Sequence, residues 1–552
     1  MSLNAPRIRE AGDSALLVQW DELIDPKINA RAIAVAAAIR SASLPGLRDV
    51  VSTFRSVAIF FDPLKAEPDV FRDALRRVSE APLELVEGRT IEVPVAYGGE
   101  AGPDLEVVAK WAGLSAAAVA DRHASTEYRV HMLGFLPGFA YLAAVDDQIA
   151  APRRETPRLR VPAGSVGIAG ALTGIYPRES PGGWQVIGRS PLQVFDPDEV
   201  PAAVFRPGDT VTFIPMSSSH AATEATKGPR PESQLTSDRR TERGSRTVTV
   251  LRPGLFTTIQ DQGRWGHQAS GVPVGGALDL VSHRIANLLV GNPPDAATLE
   301  VTLAGPELRM EQATRVVVTG ADLRPSIDGT AIPIGVAATC RPGSVVRFGE
   351  RKSSARAYIA FDGGIDTPLV LGSRATHVGA ALGGLHGRAL AAGDCLPLAP
   401  PTAGRAARNV DAPLIHGSGG VRLRVLPGPQ EDFFSEPAFT LLERTRFVVT
   451  PQSNRMGYRL SGATLPRIQT REMISDVAFV GGIQVPASGD PILLMSDRQT
   501  TGGYPQMATV ITADLPLAGQ LAPGDWVEFA RCTRAEAIAA LRDQEAMLSG
   551  LT

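Results

Sequence analysis

Four short segments combine turn-forming glycines and prolines with side chains able to bind or activate a small polar molecule. The richest pairs Gly481-Gly482-Ile483-Gln484-Val485-Pro486 with Asp497-Arg498-Gln499-Thr500-Thr501-Gly502-Gly503-Tyr504. So many donors and acceptors between β-type runs describe a polar pocket wall. Asp497 can act as a base there only if burial or a neighbour moves its pKa toward neutrality, and the competing reading is an ion pair with a nearby arginine. Residues 453–460 place Arg455 and Arg459 beside turn and aromatic residues. In the first half, Arg153, Arg154, Arg158 and Arg160 fall within eight residues. They form either a forked clamp for a carboxylate or phosphate or a solvated basic loop. His131 opens a Gly-rich aromatic run, residues 131–142, where glycine lets the backbone approach a ligand closely. A structural histidine under an aromatic cluster is the equal alternative, and no second ligand stands at the spacing a metal needs, so no metal site is expected. The segments 260–264 and 275–279 read as tight turns or pocket lining.

Other chemistries lack their residues. Lys27, Lys65, Lys110, Lys227 and Lys352 are the only lysines. None completes a phosphate-binding loop, a Met-Lys-Met biotin acceptor or a Ser-x-x-Lys pair, and the chain has no GxSxG elbow and no HExxH helix. Cys340, Cys395 and Cys532 are too few and too scattered for a disulfide framework or a zinc cage. A formal charge of −3 gives no footprint for nucleic acid. With 44% hydrophobic and 20% charged residues and no apolar run of membrane-spanning length, a soluble protein is expected. The first residues lack a secretory signal's basic start and apolar core, so the expected location is cytoplasmic.

The elements that must position these residues are mainly β. Residues 1–88 read as a small α/β domain, with a strand at 14–18 and a helix N-capped by Asp25 with Pro26 at its first position. Strands at 49–54 and 57–61 follow, then a helix at 69–79. The order β-α-β-β-α-β predicts a split βαβ plait. Residues 89–216 read as a β-barrel carrying helices at 104–111 and 115–124. Residues 217–246, almost free of large apolar side chains, read as a disordered linker. Residues 247–415 and 416–545 form two further β-rich units.

One pattern occurs twice. Val161-Pro162-Ala163-Gly164, Pro181-Gly182-Gly183-Trp184 and Pro207-Gly208-Asp209-Thr210-Val211 are echoed in order by Val485-Pro486-Ala487-Ser488-Gly489, Thr501-Gly502-Gly503-Tyr504 and Pro523-Gly524-Asp525-Trp526-Val527. The first step is 21 residues in one copy and 17 in the other, a drift that changes in loop length produce. Duplication of one β-rich unit explains three ordered matches. Residues 342–348 carry a third, imperfect instance of the last motif.

At these residues the sequence resembles a known family. Residues ~6–215 look like the KipI-type protein, also called the B subunit of 5-oxoprolinase or allophanate hydrolase subunit 1, through GFLPGFAYL, PRRETPR, VPAGSVGIAG and YPRESPGGWQVIGRSP. Residues ~247–540 look like the KipA-type protein, the C subunit of 5-oxoprolinase, through IQDQGRWG, SNRMGYRLSG, GGIQVP and DRQTTGGYP. Both are similar to the carboxyltransferase region of urea carboxylase, whose subdomains include two related cyclophilin-like barrels. The resemblance therefore implies a mainly β, α+β chain with duplicated cyclophilin-like barrels and a small N-terminal α/β plait.

The resemblance implies chemistry on a small amide or lactam. It carries the catalytic expectation onto Asp497, Arg455 and Gln499, and substrate binding onto His131, Arg153, Arg158, Tyr458, Gln484 and Tyr504. The leading expectation is the fused B and C component of an ATP-dependent 5-oxoprolinase that works with a separate A-type 5-oxoprolinase subunit. ATP and Mg²⁺ enter only through that resemblance, and no covalent biotin is expected on this chain. A carboxyltransferase component of a biotin-dependent urea or amide carboxylase is the alternative. A non-catalytic alternative is a KipI/KipA-like inhibitor of a sensor histidine kinase. Neither nucleic acid nor membrane is expected as a partner, and a homo-oligomer is left open.

Overall fold

Short β runs between Gly and Pro turns do fold into a mainly β molecule, with helices at its edges. The computed structural model describes residues 5–80, 86–216, 246–401, 419–469, 471 and 473–551. The expected linker 217–246 lies, except for Arg246, outside the described residues.

The N-terminal unit is a four-stranded antiparallel sheet in the order Arg7–Glu10, Ala15–Gln19, Ser56–Phe61, Leu47–Ser52. Helices Pro26–Ser41 and Pro68–Glu80 pack against it. Asp25 caps the first helix by accepting from the Lys27 and Ile28 amides. The predicted strand order needs one revision. The fourth strand is Arg7–Glu10, and the strand after the second helix, Thr90–Tyr97, belongs to the next unit. Arg-Ile-Arg-Glu is a partly exposed edge strand without an apolar run, so periodicity does not reveal it.

Two closed barrels follow, each of seven strands. The first contains Thr90–Tyr97, Glu127–Leu133, Ala140–Ala143, Ser165–Ala169, Leu172–Ile175, Gln185–Arg189 and Thr210–Pro215. The second contains Gly420–Pro427, Phe447–Val449, Gly457–Ser461, Gly482–Gln484, Ile492–Leu494, Gln506–Val510 and Trp526–Arg531. Numbered by chain order within each barrel, the strands run 1-6-4-5-3-2-7 around both, and strands 1 and 7 pair in parallel in both. Each barrel also carries a two-stranded side ribbon in the same topological place: Arg158–Val161 with Ser180–Gly182, and Asp476–Val477 with Thr501–Gly502. The repeated motifs mark a true repeat of topology. The third instance, residues 342–348, leads instead into Val345–Arg347 of an open sheet.

Between the barrels in sequence, a six-stranded and a five-stranded sheet pack face to face over Val248, Val250, Leu299, Val316, Val318 and Leu396. The two-residue period of a strand decides what the five-stranded sheet shows on its outer side. Val316 and Val318 face the sandwich core, whereas Val317 packs outward against helix Leu280–Val290. The same alternation turns Ala357 and Ile359 inward and Tyr358 and Ala360 outward. Glu300, between core residues Leu299 and Val301, pairs across the sheet with Tyr358.

The two halves dock within one chain. Asp476 of the second barrel accepts from Gln19 Nε2 at 2.8 Å and Ser56 Oγ at 2.5 Å. Asp13 accepts from the Thr512 amide at 2.9 Å and hydroxyl at 2.6 Å. The turn Gln268–Ser270 wedges between units: Gln268 donates to Asp49 and accepts from Arg498 Nη2 at 2.9 Å, while Gly138 N donates to Ser270 O at 2.9 Å. Among the described residues, no helix is long and apolar enough to cross a membrane.

Candidate active site

The outer face of the five-stranded sheet is where the second barrel seats, and the polar residues of both meet there. Strand Gly457–Ser461 supplies Tyr458. The turn before it is held by Asn454 Oδ1, which accepts from the Met456 amide at 2.8 Å, and it carries Arg455. Asp497 follows strand Ile492–Leu494, and its amide donates to the Arg455 carbonyl at 3.0 Å. The sheet contributes Glu300, Arg356 and Tyr358.

Arg455 is almost saturated. Its Nε and Nη2 donate to the two oxygens of Asp497 at 2.9 and 3.0 Å, its Nη1 to Glu300, and its Nη2 also to the Gly276 carbonyl at 2.7 Å. Glu300 in turn accepts from Tyr358 Oη at 2.7 Å and from the Leu278 amide at 2.8 Å. Burial opposes the Arg455 cation, and Asp497 and Glu300 outweigh it, so its pKa is held above the ordinary value. Two carboxylates around one guanidinium make a rigid wall whose charge is fixed by its own partners. The turn at Gly275-Gly276 makes room for it. Gly276 has φ +85°, and a Cβ there would stand 2.8 Å from the Gly263 amide nitrogen. The neighbouring segment 260–264 is likewise a turn, with Asp261 accepting from Gly263 N and Ser373 Oγ at 2.8 and 2.7 Å.

This wall borders a cavity of about 390 Å³, lined among others by Arg356, His377, Asn454, Arg455, Tyr458 and Asp497. The Tyr458 hydroxyl is buried without a hydrogen-bond partner of good geometry, and the Arg356 guanidinium lies 5.8 Å over its ring. Burial raises the Tyr458 pKa, so the phenol keeps its proton and remains a donor. Arg356 is anchored through Nη1 to the carbonyls of Gly519 and Leu521. His377 Nδ1 accepts from the Ala380 amide at 2.9 Å, which leaves its proton on Nε2, 3.4 Å from the Asp497 carbonyl. Burial depresses its pKa, so the ring stays neutral and serves to hold the Asp497 loop. The arrangement offers buried, charge-assisted donors in a partly apolar chamber, suited to polarising a carbonyl oxygen.

Of the residues picked from sequence, Arg455, Tyr458 and Asp497 come together here. The others do not line this cavity. Gln499 is half-buried just beyond Asp497 and Tyr504 is 48% exposed. Gln484 is buried with its amide against Gly502, whose Cβ would lie 3.0 Å from Nε2. Arg158 is bound to Asp104 through two bonds of 2.6 and 2.7 Å, and Arg154 joins the same carboxylate at 2.9 Å. Arg153 is exposed and, among the described residues, has no carboxylate partner. His131 is 1% exposed, 5.3 Å from the Phe54 ring, and burial depresses its pKa to about 4. It packs in the core between the N-terminal unit and the first barrel. There Tyr141, like Tyr458 the second residue of its barrel's third strand, stands beside Thr501.

Sequence reading missed Glu300, Arg356, Tyr358 and His377. The available signal was a lone acid in Thr298–Thr302 and a lone arginine in the wholly buried strand Ser353–Phe361. Among the described residues, no cluster of three or more His, Cys, Asp or Glu is arranged to hold a metal ion.

Comparison with known proteins gives this geometry its context. Residues 6–205 match the family described as carboxyltransferase domain, subdomain C and D, and residues 270–531 match carboxyltransferase domain, subdomain A and B. The chain is 38% identical over 298 residues to the C subunit of 5-oxoprolinase from Escherichia coli K12, covering 54% of this chain and 95% of that one. It is 43% identical over 223 residues to the B subunit of 5-oxoprolinase from Bacillus subtilis, covering 38% of this chain and 93% of that one. Urea amidolyase of Saccharomyces cerevisiae is 31% identical over 300 residues, and the match spans only 16% of that longer protein. The crystal structure of TTHA0988 superposes with a TM-score of 0.80 at 34% identity, covering 95% of this chain and all of that one.

Proposed function

Because the chain belongs to the carboxyltransferase-domain family, with subdomains C and D joined ahead of A and B, we propose that it is the fused B and C component of an ATP-dependent 5-oxoprolinase. It acts with a separate A-type 5-oxoprolinase subunit to open 5-oxoproline to glutamate. The observation that carries this reading is coverage: one chain matches 93% of a B-type relative and 95% of a C-type relative.

The lactam site is the cavity between the five-stranded sheet and the second barrel. Tyr458 Oη and the Arg356 guanidinium direct donors at the lactam oxygen, where negative charge grows as the ring carbonyl is activated. Arg455 and Asp497 neutralise each other and act by fixing the wall, and Asn454 adds a polar group at the mouth. ATP would supply a phosphoryl group to the lactam oxygen; water would then add to the ring carbon, the C–N bond would break with nitrogen leaving as the amine, and hydrolysis of the resulting acyl phosphate would release phosphate and glutamate. Mg²⁺ would enter with the nucleotide phosphates, its usual partners. His131, Arg153, Arg158, Gln484, Gln499 and Tyr504 have no contact with the lactam in this reading.

The test is glutamate formation from 5-oxoproline with ATP and Mg²⁺, with this chain and the A-type protein supplied separately and together. Turnover only with both proteins supports the proposal. Bicarbonate-dependent consumption of urea with a biotin carboxylase, and none with 5-oxoproline, would move the assignment to carboxyl transfer.

A further inference from the structure

A second cavity, of about 250 Å³, lies where the N-terminal sheet meets the second barrel and shares no lining residue with the lactam cavity. Four arginines line it, Arg7, Arg9, Arg55 and Arg471, against three carboxylates, Asp21, Glu22 and Asp432. Arg9 is bound to Asp432 by two bonds of 3.2 and 2.8 Å, and Arg471 reaches Glu22 Oε2 at 2.6 Å. Arg7 is exposed and has no carboxylate partner among the described residues. Arg55 spends Nη1 on the Trp20 carbonyl at 2.9 Å and stands 4.0 Å from Glu22 Oε1, beyond hydrogen-bond range.

The same lining holds three buried polar atoms without partners: Trp20 Nε1, Gln430 Nε2 and Glu22 Oε1. Trp20 is 5% and Gln430 2% exposed. The orientation of the Gln430 amide is set by the Gln506 backbone, whose N–H donates to Oε1 at 3.1 Å, so the unpartnered end is the NH₂. Folded proteins rarely leave buried donors and acceptors unmatched, and a group of them around one small polar cavity indicates a missing partner. Two N–H donors beside surplus arginine call for an oxyanion, while Glu22 Oε1 calls for a hydrogen on the same ligand.

We propose that this cavity binds a small oxyanion that also carries an N–H or O–H hydrogen, an amino acid or hydrogen phosphate, clamped between the two halves of the chain. Arg7 and Arg55 meet the negative oxygens, Trp20 Nε1 and Gln430 Nε2 donate to them, and Glu22 accepts the ligand's hydrogen. The ligand bridges a unit of the first half to one of the second, so its occupancy stiffens their docking.

Two variants isolate the site. Trp20→Phe deletes a donor that has no protein acceptor. Gln430→Glu keeps the oxygen that Gln506 needs and puts a repelling oxygen where the NH₂ stood. Calorimetric titration of the full chain with L-glutamate, and separately with inorganic phosphate, reads binding directly. One saturable site per chain, weakened at least tenfold in Gln430→Glu, supports the proposal; saturation by glutamate alone makes the ligand an amino acid, and by phosphate alone hydrogen phosphate. If Trp20→Phe fails to fold, Arg7→Ser replaces it, with weaker binding expected. Absence of saturable binding by either anion, or binding unchanged in Gln430→Glu and in the second variant, overturns it.

Discussion

Arg455 shows how a residue with the right chemistry for substrate binding can be used for architecture. Removing it by Arg455→Ala leaves Asp497 and Glu300 buried without their shared cation, and such losses typically cost about 3–5 kcal/mol. Urea unfolding should show an unfolding free energy lower by that amount and a correspondingly lower midpoint, and an unchanged midpoint would contradict the buried-triad reading. Buried neutral histidines set the acid response. Burial lowers the pKa of His123 from 6.5 to about 3, and burial likewise lowers His131 and His283 to about 4. Each native pKa lies below the unfolded one, so between those values the unfolded chain binds more protons. Their stabilising contribution is complete above pH ~6.5 and is lost as pH falls toward 4 and then 3, at up to about 1.4 kcal/mol per pH unit for each ring. Asp13 and Asp49, raised by burial, act with the opposite sign and favour the fold at low pH. The melting temperature followed from pH 7 to pH 4 should fall steadily, and His123→Gln should flatten that slope if it still folds.

At the scale of elements, tight turns and caps carry the precision of the site. Gly276→Ala places a Cβ 2.8 Å from the Gly263 nitrogen at φ +85°, so it should lower stability and shift the carbonyl that receives Arg455. Far from the site, Thr533→Ala removes the capping box of helix Arg534–Ser549 and should cost about 1 kcal/mol with no change in turnover. Many elements were readable because their signals are local. Asp25-Pro26 announces a helix, and the two Gly-Gly-aromatic motifs each close a side ribbon of their barrel. The partners of Arg455 were not readable, because Glu300 and Tyr358 are set side by side by sheet register and then meet a loop 155 residues beyond Glu300. Arg153, Arg154, Arg158 and Arg160 show the converse: a cluster in sequence becomes an internal clamp on Asp104 for two of them. His131 packs beside Phe54, and its carbonyl accepts from the amide of the helix residue Asn29 at 2.9 Å.

The whole molecule is two related barrels held through a sandwich and an N-terminal unit, with the two halves joined by buried hydrogen bonds. Asp476 accepts from both Gln19 and Ser56 across that junction, so Asp476→Ala strands the buried Gln19 Nε2 donor, while Ser56 keeps the Thr53 hydroxyl 2.7 Å away, and should cost roughly 1–3 kcal/mol, read as a lower midpoint of unfolding. Chains 1–216 and 246–552 expressed apart should co-elute, and Asp476→Ala should weaken that association. Under the proposed function, the lactam is activated in the cavity against the second barrel. The most direct test of this is the rate of ATP-dependent glutamate formation by Tyr458→Phe in the presence of the A-type protein, measured beside its melting temperature. The expected rate is lower by about 10²-fold with melting unchanged, as loss of one oxyanion donor produces. A Tyr458→Phe protein that turns over at the wild-type rate would contradict it.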